Sequence, residues 1–275
     1  MEPMIGMIGC GNMGRAIVEG ILKAKVAKEN QIYAANRHLE KLSDLAERGI
    51  KTAGNLETAA CSDILFLAVK PHLYQEVIEE IRDVVKPDVI VVAIAAGISI
   101  QTVKDLFQRE IKVVRAMPNT PALVGEGMSG ISFDTLLNER EKKMIIKLFQ
   151  SFGEVQVVEE RLMPAVGSAS GSSVAFVFIL MEAMADACVK LGMGREQAYV
   201  FVGQAVKGGA AMMLETKKHP GVLKDMVCSP NGTTIAGVKA LEQAGFRYAV
   251  MDALDACAKR TEEMAQASST VKKRR

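Results

Sequence analysis

Two hydrophobic periods divide this chain. Over the first half, short β-branched runs alternate with stretches whose apolar residues recur at helical spacing. Such alternation is the sequence form of a parallel sheet with crossover helices. The runs predict strands at Met4–Ile8, Gln31–Ala35, Ile64–Val69, Val89–Ile94, Lys112–Ala116, Gly130–Phe133 and Val155–Val158. Between them, Ala16, Ile17, Gly20, Ile21 and Ala24 share one helical face, and Tyr74, Val77, Ile78, Ile81 and Val85 share another. After about residue 160 the period of two stops. Ala198, Phe201, Val202, Ala205, Val206, Gly209, Met212 and Met213 then mark one helix, and Phe246, Val250, Leu254, Cys257, Thr261 and Met264 mark the last. The expectation is an α/β, Rossmann-like domain with a doubly wound, mostly parallel sheet over 1–160, and an all-helical domain over 161–268. Residues 269–275 form a basic tail, expected to be disordered.

The stretch 166–191 is apolar or small on nearly every face, and a helix without a polar face must be covered all round. About a hundred residues cannot easily wrap it, so a homodimer joined through a two-fold interface is expected. Its longest wholly apolar run, 174–181, is far short of a membrane span, and no membrane association is expected. The composition, 49% hydrophobic and 24% charged over 275 residues, is that of a soluble globular protein. The net charge of +2 includes the terminal Lys272, Lys273, Arg274 and Arg275, so the remainder is slightly acidic. With no Trp and four Tyr, the chain offers neither the charge nor the stacking platforms of a nucleic-acid surface. Five cysteines, odd in number and without a C-x-x-C pair, suit reduced intracellular thiols. An acid at position 2 and a Gly-rich turn by residue 9 argue against a signal peptide, so a cytoplasmic location is expected.

The first chemical motif is IGMIGCGNMGRAI, in which Gly9, Gly11 and Gly14 form G-x-G-x-x-G between a strand and a helix. Gly9 allows the tight turn, Gly11 lets the backbone approach a pyrophosphate, and Gly14 lets the helix pack on the strand. Asn12 and Met13 complete the turn. A purely structural turn would use the same glycines, but the position at the head of a βαβ alternation favours a dinucleotide. An NAD site presents an acid after the second strand; here Asn36 and Arg37 stand in its place. An Arg pairs with a 2′-phosphate that a carboxylate would repel, so NADPH is preferred over NADH. Asn36 also suits the N-cap of the next helix, with Arg37 solvated in its first turn.

Three further loops fall at strand ends, where open α/β sheets bind ligands. They are AVKPH, with Ala68, Val69, Lys70 and Pro71; AIAAGIS, with the small Ala95 and Gly97; and RAMPNTPA, with Met117, Pro118 and Asn119. Prolines 118 and 121 stiffen the last into a wall, although a plain turn would look the same. The segment GSASGSSVAF carries four serines and two glycines at the mouth of the apolar helix, for close helix approach or for a ligand. His38, His72 and His219 lie in no metal-ligand spacing, and no metal is expected. His219, before Pro220-Gly221, is expected in a turn.

A polar knot, VCSPNGTTIAG, stands in the helical half. Ser229-Pro230 or Asn231-Gly232 would open a helix with Ile235, Val238 and Leu241 on its apolar face, and a helix N-terminus is a ready carboxylate site. One cap needs one hydroxyl, so the surplus favours a site over capping alone.

Gly9, Gly11 and Gly14, AVKP, the Pro-Asn pair of RAMPNTPA, SGSSVAF and the long block HPGVLKDMVCSPNGTTIAGVKALEQAGFR together resemble the pyrroline-5-carboxylate reductase family, from residue 4 to about 265. The resemblance implies a Rossmann domain, a helical dimerisation domain, NAD(P)H as hydride donor and often a ring of five dimers. It implies reduction of a cyclic imino acid to L-proline, the last step of proline biosynthesis. It places Ser229 and the backbone of Gly232 and Thr233 on the substrate carboxylate, and Thr234 beside the ring nitrogen as the catalytic residue. Because the helical domain is expected to be intertwined, that helix could serve the partner's cofactor. This chain departs from the family at Asn231, where Gly is usual, and at Val174 and Phe176, where Pro and Tyr are usual. Asn tolerates a left-handed backbone, so the turn is expected to survive. The 3-hydroxyacid dehydrogenase family shares a two-domain plan but carries a catalytic Lys early in the helix after the sheet; no Lys stands between 162 and 189. A reductase of another imine or keto acid, and a dinucleotide-binding regulatory protein without turnover, are the remaining alternatives.

Overall fold

The computed structural model describes residues 3–270, with side chains through 265. Its sheet has eight strands in the order β3-β2-β1-β4-β5-β6-β7-β8. They are β1 (Ile5–Ile8), β2 (Ile32–Ala35), β3 (Lys51–Thr52), β4 (Ile64–Leu67), β5 (Ile90–Ala93), β6 (Lys112–Met117), β7 (Gly127–Phe133) and β8 (Gly153–Val157). The first six run parallel; β7 is antiparallel to β6 and parallel to β8. Six helices interleave with the strands: α1 (Asn12–Lys23), α2 (Ser43–Glu47), α3 (Asn55–Cys61), α4 (Tyr74–Ile81), α5 (Ile100–Phe107) and α6 (Glu139–Gln150). Six follow them: α7 (Met163–Val166), α8 (Ser173–Lys190), α9 (Arg195–Thr216), α10 (Pro220–Val227), α11 (Thr233–Gln243) and α12 (Phe246–Thr270).

All seven expected strands are present, within three residues at each end. Edge strand β3 was not foreseen, because two residues cannot display a period. The central strands alternate between two cores. Ile5, Met7, Ile64, Phe66, Ile90 and Val92 face the core under α1 and α6, while Ile8, Leu65, Leu67, Val91 and Ala93 face the core under α4 and α5. A parallel sheet covered on both faces needs apolar residues at successive positions, and β1, β4 and β5 are buried throughout.

The compact units do not divide at 160. One comprises the chain up to Gly171 together with Cys257 onward; the other is Ser172–Ala256. Contacts that leave no periodic trace hold 160–171 to the sheet. The Glu160 carboxylate accepts from Ile100 N at 2.8 Å and Arg115 Nη1 at 3.1 Å, and Asn119 Nδ2 donates to Ser170 O at 3.0 Å. The end of α12 returns to Gly97, where a Cβ would lie 3.2 Å from Ala265 N. Of the basic tail, 269 and 270 continue α12, and the rest lies outside the described residues.

The second unit has little core of its own: among its described side chains, Ala185, Ala198 and Val202 form the only buried cluster. Phe178, Ile179 and Val200 are 63%, 64% and 71% exposed. The helix that carries the apolar run 174–181 is much longer than the run itself. The chain is helical throughout Glu160–Lys190, 31 residues containing an 18-residue stretch of mean hydropathy 1.7, 6% of it buried, which by length and composition alone is enough to cross a membrane. The serine-rich segment stays helical as a π-helical stretch over Gly167–Ser172, so the helix, though not its apolar run, is prolonged on the N-terminal side.

Candidate functional site

At the end of β1 the chain turns through Gly9 (φ 85°), and the amides of Gly9 and Cys10 both donate to Ala35 O, at 3.0 and 2.9 Å. A Cβ at Gly9 would lie 2.6 Å from Val69 Cγ1 and 2.9 Å from the Ala68 backbone, so only glycine fits this turn. A Cβ at Gly14 would press on Gly9 O and Met7 at 3.2 Å, which is the helix–strand contact expected of it. Gly11 differs: nothing lies nearer than 3.9 Å to its missing Cβ. It is the N-cap of α1, no side chain caps that helix, and no acid stands in its first turn. First-turn amides lack intrahelical acceptors, so this end suits an anion of pyrophosphate kind. Cys10 is buried, and burial pushes its thiol up to about 11 against the opposing pull of Arg15, so it is neither thiolate nor nucleophile at neutral pH.

Gly9 and Gly11 open onto a cleft of ≈ 620 Å³ across the carboxyl ends of β1, β4, β5 and β6. Of the residues expected to bind the cofactor, Asn12, Met13, Ala68, Val69, Lys70, Pro71, Ala95 and Pro118 line it. Gly14, Gly97, Met117 and Asn119 do not. Gly97 accommodates α12, and Met117 and Asn119 are 8% and 7% exposed. Both ends of the Asn119 amide are engaged by the chain: Oδ1 accepts from Met128 N at 2.8 Å, and Nδ2 holds Ser170 O. That amide therefore stiffens the wall that Pro118 presents. Ala16, Ile94, Ala96, Thr120, Leu123 and Met264 also line the cleft. Ala96 and Thr120 were within reach of the strand-end argument, but Met264 arrives through the return of α12, for which the sequence carries no sign.

A second cleft of ≈ 350 Å³ shares Gly9 and Val69 with the first and contains Asn36, Arg37 and Asn55. Asn36 does not cap a helix. Its Nδ2 donates to Cys10 O at 3.0 Å and its Oδ1 accepts from His38 N at 3.0 Å, pinning the β2 turn to the glycine turn. Arg37 is exposed and has no ion pair among the described residues, so its charge faces the cleft unpaired. Asn55, which the sequence reading missed, opens α3 there, and its Nδ2 donates to Glu80 Oε2 at 2.7 Å.

In the second unit, Asn231 has φ 59°, the left-handed conformation that its side chain tolerates. It leads into Gly232, the N-cap of α11, which no side chain caps. Of the two openings considered, Asn231-Gly232 is therefore the one used. Ser229 O accepts from Gly232 N at 3.1 Å, and a Cβ on Gly232 would collide with Ser229 Oγ. Ser229 and Thr233 are exposed and Thr234 is half-buried; none of the three hydroxyls makes a hydrogen bond among the described residues. A free helix end with three unengaged hydroxyls can hold a carboxylate. His219 sits in the turn expected of it, capping α10 by accepting from Gly221 N at 3.1 Å. Ser168 and Ser170 donate to the carbonyls of Pro164 and Val166 four residues back, so these two serines are structural. No group of three or more metal-ligating side chains occurs among the described residues.

The strand order β3-β2-β1-β4-β5-β6 with a glycine turn after β1 is the Rossmann arrangement, and together with the helical unit it defines a two-part oxidoreductase of dinucleotide-binding type. Residues 160–264 match the pyrroline-5-carboxylate reductase dimerisation family, and residues 4–97 match a family described as NADP oxidoreductase, coenzyme F420-dependent. The chain is 44% identical over 268 residues to the pyrroline-5-carboxylate reductase of Escherichia coli, covering 97% of this chain and all of that one. It superposes on a pyrroline-5-carboxylate reductase from Coxiella burnetii with TM-score 0.88 and 33% identity, over 96% of this chain and 99% of that one. A Plasmodium falciparum pyrroline carboxylate reductase with NADP bound gives TM-score 0.89 and 30% identity, over 96% and 99%. The chain belongs to the pyrroline-5-carboxylate reductase family.

Proposed function

We propose that this chain reduces 1-pyrroline-5-carboxylate to L-proline with NADPH, the last step of proline biosynthesis. The observation that carries the reading is the uncapped mouth of α11, flanked by three unengaged hydroxyls, in a chain of this family. The fit of the dinucleotide rests on Gly11, whose missing Cβ opens onto the cleft, and on the free first-turn amides of α1. When bound, the nicotinamide cofactor supplies the hydride.

The protein's own residues supply geometry. Ser229 and the amides of Gly232 and Thr233 hold the substrate carboxylate, supported by the positive end of α11. Thr234 hydrogen-bonds the ring nitrogen. The sp2 imine carbon, C2 of the 1-pyrroline ring and C5 of the proline formed, accepts the hydride, the C=N electron pair passes to nitrogen, and the hydroxyl steadies that nitrogen as its charge disperses. Pro118, held by the buried Asn119 amide, gives the cleft a rigid wall. A cofactor-oxidation assay with pyrroline-5-carboxylate, run with NADPH and NADH in parallel, tests the reading; no oxidation of either overturns it.

NADPH preference rests on Arg37. Arg37→Ala is expected to raise the KM for NADPH about tenfold, the worth of one exposed charge-assisted contact, and to leave that for NADH unchanged. An unchanged NADPH:NADH ratio in steady-state kinetics would remove Arg37 from cofactor choice.

The apolar faces of α8 and α9 are proposed to be covered by a second copy, giving a homodimer that can build a ring of five. That reading accounts for the exposed Phe178, Ile179 and Val200 in a cytoplasmic protein without membrane or nucleic-acid partners. Phe178→Glu is expected to shift the protein to monomer in sedimentation velocity at micromolar concentration, since a carboxylate would have to be buried unpaired. An unshifted sedimentation coefficient would place the interface elsewhere.

A further inference from the structure

The phenol of Tyr74 stands where two strands part. β4 and β5 pair in register as far as Leu67 and Ala93, and beyond that point their direct bond, Ile94 N to Leu67 O, is stretched to 3.5 Å. β4 meanwhile stays with β1, through Ala68 N to Ile8 O at 2.8 Å. Into the fork reaches Tyr74, the first residue of α4, 1% exposed. Its hydroxyl donates to Leu67 O at 2.6 Å and accepts from Ile94 N at 3.2 Å, standing in for the ladder bond that the strands relinquish. Burial raises the phenol well above its ordinary pKa, so it remains a donor at any working pH.

The two chains that leave this fork both line the larger cleft: Ala68, Val69 and Lys70 after β4, and Ile94, Ala95 and Ala96 after β5. The dinucleotide reading above, on which this inference rests, sets the pyrophosphate at α1 and the adenosine ribose at Arg37 beyond β2. The remaining half of the molecule then runs over the ends of β4, β5 and β6. We propose that Tyr74 is a positioning residue that sets the width of the nicotinamide half of the cleft by propping β4 and β5 apart. Without the hydroxyl, Ile94 N and Leu67 O would close on each other to an ordinary bond length, and both walls would shift by tenths of an ångström. Hydride transfer is sensitive to displacements of this order.

Tyr74→Phe keeps the ring in the core and deletes only the prop. The test compares NADP⁺ with 2′-phospho-ADP-ribose, which lacks the nicotinamide, by titration calorimetry, and follows kcat for the imine. The variant is expected to bind 2′-phospho-ADP-ribose within about twofold of the parent and NADP⁺ about fivefold more weakly, with kcat lowered about tenfold. Parent-like NADP⁺ affinity and kcat would overturn the proposal. A variant that weakens both ligands equally, or does not fold, would assign the hydroxyl to stability alone and overturn it too. If the parent binds neither ligand, the dinucleotide reading fails first and the positioning role fails with it.

Discussion

Thr234→Ala is expected to lower kcat for pyrroline-5-carboxylate by about 10²- to 10³-fold, the usual loss when one preorganised hydrogen-bond donor is removed from a reacting centre. Thr234 is the second residue of α11, half-buried, and its hydroxyl makes no hydrogen bond among the described residues. Deleting it therefore leaves no protein group without its partner, and the unfolding midpoint is expected to stay within a degree or two. The affinity for NADPH, measured without imine, is expected to be unchanged, because the cleft at the glycine turn, proposed for the cofactor, is lined by other residues. Thr234→Ser retains the hydroxyl and is expected to recover most of the rate. Undiminished kcat in the alanine variant would remove Thr234 from the reaction.

Gly11→Asp is expected to weaken NADPH about 10²-fold or more while leaving the fold as stable as before or slightly more so. The two effects have one cause. Gly11 is the N-cap of α1, extended at φ −94°, with no side-chain cap on the helix and nothing within 3.9 Å of its missing Cβ. An aspartate fits that space and that backbone, and Asp is a better N-cap than Gly by a few tenths of a kcal/mol. It satisfies the free amides of the first turn, which are the same donors that the pyrophosphate needs, and adds a negative charge beside it. Losing one or two charge-assisted bonds at about 1.5–3 kcal/mol each accounts for the affinity. Calorimetric titration with NADPH and thermal melting of the free protein read the two signs separately. Gly9→Ala would not discriminate in this way, since its Cβ collides with Val69 and the Ala68 backbone and damages the turn itself.

The backbone geometry of the candidate site was largely legible because its signals are local. A glycine turn after a strand, an Asn that tolerates φ 59° and a surplus of hydroxyls before an amphipathic helix are each complete within a dozen residues. The weaker assignments share another cause. Asn119 was placed on the cofactor from its strand-end loop, yet its amide holds Met128 and Ser170, nine and fifty-one residues away. Asn36 stands with Arg37 where an NAD site has its acid, and its alternative reading as a helix cap gives way to a bond to Cys10 O across to the glycine turn. A polar side chain at a strand end looks the same in sequence whether it faces a ligand or the chain.

The period of the apolar residues dictated the alternating α/β half, its two-sided core and the helical half, because burial on one face or two is written into successive positions. The glycines of the turn and the chemistry of the α11 mouth were likewise fixed by residue type. Packing settled what depends on distant partners: the reversal of β7 and β8, the docking of 160–171 on the sheet, the return of α12 to Gly97 and the Tyr74 prop between β4 and β5. Each of these joins groups more than six positions apart in the chain, and periodicity, which reports only how a segment faces its own core, carries no record of them.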